Sequence, residues 1–101
     1  MQTRFEWDPA KAASNLRKHR ISFELALRAF ADLRACSDID RIEGGEQRWQ
    51  TIGMVEGRLL LLVAHTVWED DEDGRPVEVI RIISARQATG KERRRYERQN
   101  G

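Results

Sequence analysis

Hydrophobic and polar positions alternate in the opening segment "TRFEW", which puts Phe5 and Trp7 on one face of a short strand and Glu6 on the other. Asp8-Pro9 then announces a helix, with Asp8 as its cap and Pro9 in its first turn. Over positions 9 to about 19, Ala12, Ala13 and Leu16 form the apolar side, while Lys11, Asn15 and Lys18 share the opposite one. Ser22 is placed to cap a second helix, with Glu24 in its first turn and an apolar stripe of Phe23, Ala26, Leu27 and Phe30. After this the period changes to that of strands. "SDIDRI" is a weak strand, Gly44-Gly45 a turn, "RWQTIGMV" a strand and Glu56-Gly57 a tight hairpin loop. "RLLLLVAHT" is too uniformly apolar for an edge and is expected to be central, buried on both faces. "EDDEDGRP" has the composition of a solvated loop, and "VEVIRIISAR" of a further strand. Thr89 and Glu92 have capping-box spacing, which starts a last helix at about Gly90. The order βααββββα specifies an α+β domain: a small antiparallel sheet with two N-terminal helices and one C-terminal helix.

The last helix has little to bury. Lys91, Arg94, Arg95 and Arg98 recur at helical spacing and form one cationic stripe. Tyr96 lies off that stripe, over Glu92, as the single sizeable apolar anchor. A helix this short is marginal in water on propensity alone. The stripe is therefore expected to serve an anionic partner; the alternative is a solvated tail.

The chain has 101 residues, 40% apolar and 35% charged, which is enough for one domain with one core. No apolar run approaches a bilayer-spanning length, the N-terminus has no signal pattern, and the single Cys36 cannot form an internal disulfide. A protein of the reducing cytoplasm, without a membrane, is the expectation. The net charge of +1 hides segregation. Positions 1–30 carry six basic and three acidic side chains, positions 31–80 five and twelve, and positions 81–101 seven and two. If the two basic ends meet in the fold, they make a surface suited to phosphates.

Metal ligation and serine-type motifs are missing from the sequence: His19 and His65 stand far apart, and Cys36 is alone. Asp38, Asp40, Glu43 and Glu46 could gather around a hard cation, although a solvated acidic loop explains them more simply. What remains is rich in cations: Lys18 and His19 at a helix end, and Arg48, Arg81 and Arg86 in strands. Such a set suffices to cleave RNA without a metal. A base takes the 2′-OH proton, an acid protonates the leaving 5′-oxygen, and cations hold the charge on phosphorus. His19 is the side chain suited to proton transfer near neutral pH. His65 is expected in the core. Trp49 and Trp68 could stack a base, with packing as the default.

Three blocks, "FEWDPAKAASNLRKHRISFELA", "GEQRWQTIG" and "RIISARQATGKERRRYE", resemble the BrnT toxins of bacterial type II toxin–antitoxin pairs over nearly the whole chain. The resemblance implies a RelE-like fold and an endoribonuclease acting on mRNA without a cofactor. It also implies a BrnA-like ribbon-helix-helix antitoxin, and operator DNA bound only through the toxin–antitoxin complex. Lys18 and His19 match the family's "KH", Glu46 and Arg48 its "GExR", and Arg81 and Arg86 its "RIISAR". Many relatives carry Gly at the position of Arg20. Lys18, His19, Arg48, Arg81 and Arg86 are thus the candidate catalytic residues. Lys11, Glu46, Lys91, Arg94, Arg95 and Arg98 are the candidates for RNA or antitoxin binding. The competing expectations are a non-catalytic module that binds RNA or a peptide through the same basic surface and, with less support, a DNA-binding regulator.

Overall fold

The local signals act where the sequence puts them. In the computed structural model, which describes residues 2–100, Asp8 accepts from the Ala10 N–H at 2.8 Å and Ser22 from the Leu25 N–H at 3.0 Å. Between them these caps delimit α1 (Pro9–His19) and α2 (Phe23–Leu27), which runs directly into a 3-10 turn, Arg28–Ala31. The strands are β1 (Gln2–Trp7), β2 (Cys36–Glu43), β3 (Glu46–Val55), β4 (Leu59–Glu72) and β5 (Arg75–Gln87), and α3 (Gly90–Asn100) ends the chain. At the start of α3, Glu92 accepts from the Thr89 N–H while Thr89 accepts from the Glu92 N–H, completing the capping box.

The sheet order is β1-β5-β4-β3-β2. β2 to β5 form three successive hairpins, but β1 pairs with β5 in parallel, from Gln2 opposite Val77 to Trp7 opposite Ile82. The sheet is therefore mixed, and the expectation of an all-antiparallel sheet is corrected. A parallel neighbour requires a long crossover connection, and everything from α1 to β4 serves as one.

The acidic segment is a second correction, since it is a hairpin and not a solvated loop. The β4–β5 ladder continues to Glu72 opposite Arg75. Asp73 and Gly74 turn the chain with φ of 54° and 79°, the two positive values a two-residue hairpin turn needs. Arg4 of β1 reaches across to Asp70 at 3.3 Å and also to Glu72. The loop at Glu56-Gly57 spans three residues, closed by Arg58 N–H donating to Val55 O at 3.1 Å.

β4 is buried on both faces, as its composition requires. Leu61 and Val63 pack with Phe23, Ala26, Ala29 and Ile82 beneath the N-terminal helices. Leu60 and Leu62 pack with Cys36, Ile52 and Tyr96 beneath α3. The 3-10 turn sits directly on β3. A side chain at Gly53 would come within 2.2 Å of the Ala29 carbonyl oxygen, so only glycine fits there.

The orientation of α1 is rotated from expectation, for of its expected apolar side only Ala12 packs against the core. Leu16 is 48% exposed and Ala13 lies in solvent, whereas Asn15 is buried. Asn15 Nδ2 donates to the carbonyls of Ile21 at 2.9 Å and Ala85 at 2.8 Å, and its Oδ1 accepts from Ala85 N–H at 3.0 Å. β1 ends opposite Ile82, so β5 beyond it has a free edge, and the Asn15 amide takes the place of a strand there. Three good hydrogen bonds outweigh the burial of one leucine.

Tyr96 likewise does more than cover Glu92. Its ring is buried among Cys36, Ile52, Leu60 and Leu62, and its hydroxyl donates to Asp32 Oδ2 at 2.6 Å. The same oxygen accepts from Met54 N–H at 2.8 Å, and Oδ1 accepts from Arg34 N–H at 2.9 Å. Burial pushes the Asp32 carboxyl up, but these bonds outweigh it and hold it below its ordinary value. Burial, then the Asp32 carboxylate, push the Tyr96 hydroxyl up to about 12. Tyr96→Phe keeps the packing and deletes one bond to a charged acceptor. Urea unfolding should show a loss of about 1.5–3 kcal/mol with an unchanged far-ultraviolet spectrum.

Candidate active site

Alternation along the strands brings two of the candidate cations together. Thr66 of β4 lies opposite Arg81 of β5. Trp49 lies opposite His65, so Arg48, one residue before Trp49 in the antiparallel partner, falls opposite Thr66. The same row ends in Glu6 on β1, opposite Arg81, and in Arg41 on β2, opposite Arg48. At about 4.8 Å per strand, Arg48 and Arg81 straddle Thr66 about 10 Å apart on the face that carries α3.

The counterions of this pair are loose. Arg81 Nη1 is 3.6 Å from Glu6, and Arg48 is 3.8 Å from Glu46 and 4.0 Å from Glu43. Arg48 Nε and Thr66 Oγ1 are buried with no hydrogen-bond partner among the described residues. Trp68, two residues beyond Thr66 on the same face, is 38% exposed. Arg95 is held by Asp38, and Arg41 by Glu43 at 3.1 Å, with Asp40 at 3.7 Å. The four carboxylates considered for a cation thus face arginines rather than one another.

A second group forms at the sheet edge. Lys11, Ser14, Asn15, Lys18 and His19 of α1 line a cleft of ≈ 190 Å³ with Ile83 and Ser84 of β5. Of the three residues the sequence places on one side of α1, Asn15 is buried, and Lys11 and Lys18 stay exposed at the cleft. The register between β4 and β5 shifts here, with Ala64 opposite Ser84 but His65 opposite Ile82, so Ile83 is an extra residue in a bulge. Ser84 therefore returns to the same face as Thr66 and Arg81. The helix end is fixed by Arg20, which adopts φ 63° while its N–H donates to Leu16 O at 3.0 Å. This left-handed cap is where glycine is favoured, and Arg20 takes up the same conformation.

Arg86 belongs to neither group. Its Nη1 and Nη2 donate to Glu92 Oε1 and Oε2 at 2.8 and 2.9 Å, a bidentate pair that ties the end of β5 to the first turn of α3. Lys91, Arg94 and Arg98 are exposed on α3. His65 is a core residue. Burial pushes it down to about 4, its Nε2 bonds Thr51 Oγ1 at 2.8 Å, and its ring stands edge-on to Phe30. Sequence reasoning passed over Thr66, Ser84 and Ser14. The signal for Thr66 was its position two residues from Trp68 in "HTVW", and a bulge such as that at Ile83 has no sequence signature.

The family model for the ribonuclease toxin BrnT of type II toxin–antitoxin systems matches residues 7–92. The chain belongs to the BrnT family of ribonuclease toxins. Its fold is similar to the 1.1 Å crystal structure of the Brucella abortus ribonuclease toxin BrnT, with a TM-score of 0.51 at 19% identity, covering 88% of this chain and 99% of that one. No curated protein matches the sequence. Family membership makes the BrnT chain the toxin half of a pair, with an antitoxin as partner and RNA as target.

The Arg86–Glu92 pair gives this BrnT chain a defined pH response. The bonds from Arg86 pull the Glu92 carboxyl down to about 2. A carboxyl depressed in the fold stabilises it above the unfolded value of about 4.3 and loses that contribution as pH falls towards about 2. Because the pair is partly exposed, Glu92→Gln should cost about 1–2 kcal/mol at neutral pH. In thermal unfolding, the gap to the parent should close between about pH 4.5 and about pH 2.

Proposed function

We propose that this toxin cleaves mRNA without a metal ion, on the sheet face that carries Arg48, Thr66 and Arg81. The observation that carries the reading is the pair of unpartnered buried atoms, Arg48 Nε and Thr66 Oγ1, between two arginines whose counterions stand 3.6 Å or more away. A phosphate set against this row would draw on the guanidinium ends of Arg81 and Arg48, and competes with weak, partly exposed ion pairs. The α1 cleft opens at Ser84, on the same face, and supplies Lys11, Lys18 and His19. His19 would exchange protons with the 2′-oxygen or the leaving 5′-oxygen. The 2′-oxygen attacks phosphorus, the bond to the 5′-oxygen breaks, and that oxygen takes a proton, leaving a 2′,3′-cyclic phosphate and a 5′-hydroxyl. Lys91, Arg94 and Arg98 on α3 extend the positive surface along the strand of RNA. Arg86, fully used by Glu92, positions α3 and stays out of the chemistry. On the family resemblance, the fold is RelE-like. The partner is read as a BrnA-like ribbon-helix-helix protein that binds operator DNA with the toxin bound, and the compartment as the cytoplasm.

Purified toxin should cut RNA in excess EDTA and leave 2′,3′-cyclic ends, and a 2′-deoxy nucleotide at the cleaved position should block it. Activity that returns only with a divalent ion would sink the metal-free mechanism.

Chemistry and docking should separate by mutation. His19→Ala, Arg48→Ala or Arg81→Ala should lower turnover by about 10²–10³-fold with smaller effects on RNA affinity. Replacing Lys91, Arg94 and Arg98 together by Ala should weaken binding and reduce its salt dependence by up to about three phosphate contacts. Equal losses of affinity and turnover in both sets would show that the division is wrong.

A further inference from the structure

A wide concavity lies on the other face of the sheet, away from Arg48 and Arg81. Its volume is ≈ 630 Å³, and its lining crosses all five strands, from Phe5 on β1 through Ile80, Val67 and Trp49 to Ser37 on β2. Phe30, on the 3-10 turn, forms one wall. Five strands spaced about 4.8 Å apart make a trough about 19 Å long, the length of a helix of about 13 residues. Ile39 and Ile42 prolong the apolar surface along β2. Ile39 lies opposite Trp49, Ile42 opposite Gln47, and they are 51% and 68% exposed. A contiguous apolar surface of this kind marks a protein–protein contact.

The lip of the trough says what kind of protein. Glu78 lines it, and Glu69 is its direct cross-strand neighbour. Two like charges in that position destabilise a sheet. Their neighbours Asp70 and Glu72, on the other face, are taken by Arg4, whereas Glu69, Asp71 and Glu78 form no ion pair among the described residues. Thr3 Oγ1, donating to Glu78 at 3.5 Å, is a weak substitute. An apolar floor beside uncompensated carboxylates is complementary to a helix with an apolar stripe flanked by lysine or arginine.

We propose that this trough anchors the antitoxin through a cationic amphipathic helix of about three to four turns. The proposal rests on the chain being a toxin with an antitoxin partner. It assigns that partner's anchor to the acidic-rimmed face, and leaves the cationic face, including the α3 stripe, to RNA. The rest of the antitoxin then reaches the RNA face from an anchor that does not compete for phosphate sites.

Two synthetic helices with one apolar stripe, flanked by Lys in the first and by Glu in the second, serve as probes against the full-length toxin. The Lys helix should bind about tenfold or more tightly at about 50 mM salt, and the preference should fade at about 0.5 M. Glu69→Gln with Glu78→Gln should remove most of that preference while the melting temperature holds or rises, because cross-strand repulsion is relieved. Val67→Lys should weaken both helices. Equal binding of the two helices, or an undiminished preference in the double Gln variant, would overturn the assignment. RNA cleavage by the same preparations is measured in parallel. Its failure would count against the ribonuclease mechanism and leave the helix-binding result standing.

Discussion

The amide of Asn15 is the contact on which the candidate active site depends. It satisfies the Ala85 N–H and C=O on a stretch of β5 that β1 does not reach, and it also bonds the Ile21 carbonyl just past the helix end. A single side chain thus substitutes for a strand, and holds both the helix and the turn that follows it. With Asn15 in place, Lys11 and Lys18 line the cleft beside Ile83 and Ser84 while staying exposed to solvent. A buried amide left without partners costs far more than these bonds contribute in net terms, so α1 has one permitted rotation about its axis. The exposure of Leu16 follows from that constraint.

The C-terminal helix is held by the same economy of means. Its apolar footprint is essentially one ring, Tyr96, backed by a hydroxyl that shares Asp32 with the backbone of β3. The Arg86–Glu92 fork fixes its first turn, and the Arg95–Asp38 pair its flank. Polar contacts such as these, with Asn100 Nδ2 donating to the Arg34 carbonyl at 2.9 Å, replace the apolar stripe that a packed helix ordinarily presents. The remaining cations stay outward. The near-zero net charge therefore conceals an uneven surface, with exposed cations on α3 and an acidic lip on one side of the β4–β5 hairpin.

What could be read from the sequence was what is decided locally. The caps at Asp8 and Ser22, the Thr89–Glu92 box and the double-sided burial of β4 each depend on residues within a few positions of one another, and they hold. The corrections all depend on distant partners. β1 finds β5 some 75 positions away, Asn15 finds Ala85, and Tyr96 finds Asp32. The acidic segment misled for a related reason. Its composition favours solvent, but a twelve-pair ladder anchored in the apolar half of β4 carries it as strand. Of the candidate site, the cation types were legible. Their division into the Arg48–Arg81 row, the α1 cleft and the Arg86–Glu92 pair depended on register and on the bulge at Ile83, neither of which periodicity reveals.

The parallel pairing of β1 with β5 has a consequence for synthesis. β1 is made well before β5, its sheet partner among the described residues. Neither the Thr66–Arg81 row nor the α1 cleft can assemble before positions 81 to 84 emerge, and the clasp on Asp32 waits for position 96. Contacts of such long sequence separation form late, after the loop-closure entropy has been met. A nascent chain that stops short of position 81 therefore holds His19, Arg48 and Thr66 without the arrangement that makes them a candidate site.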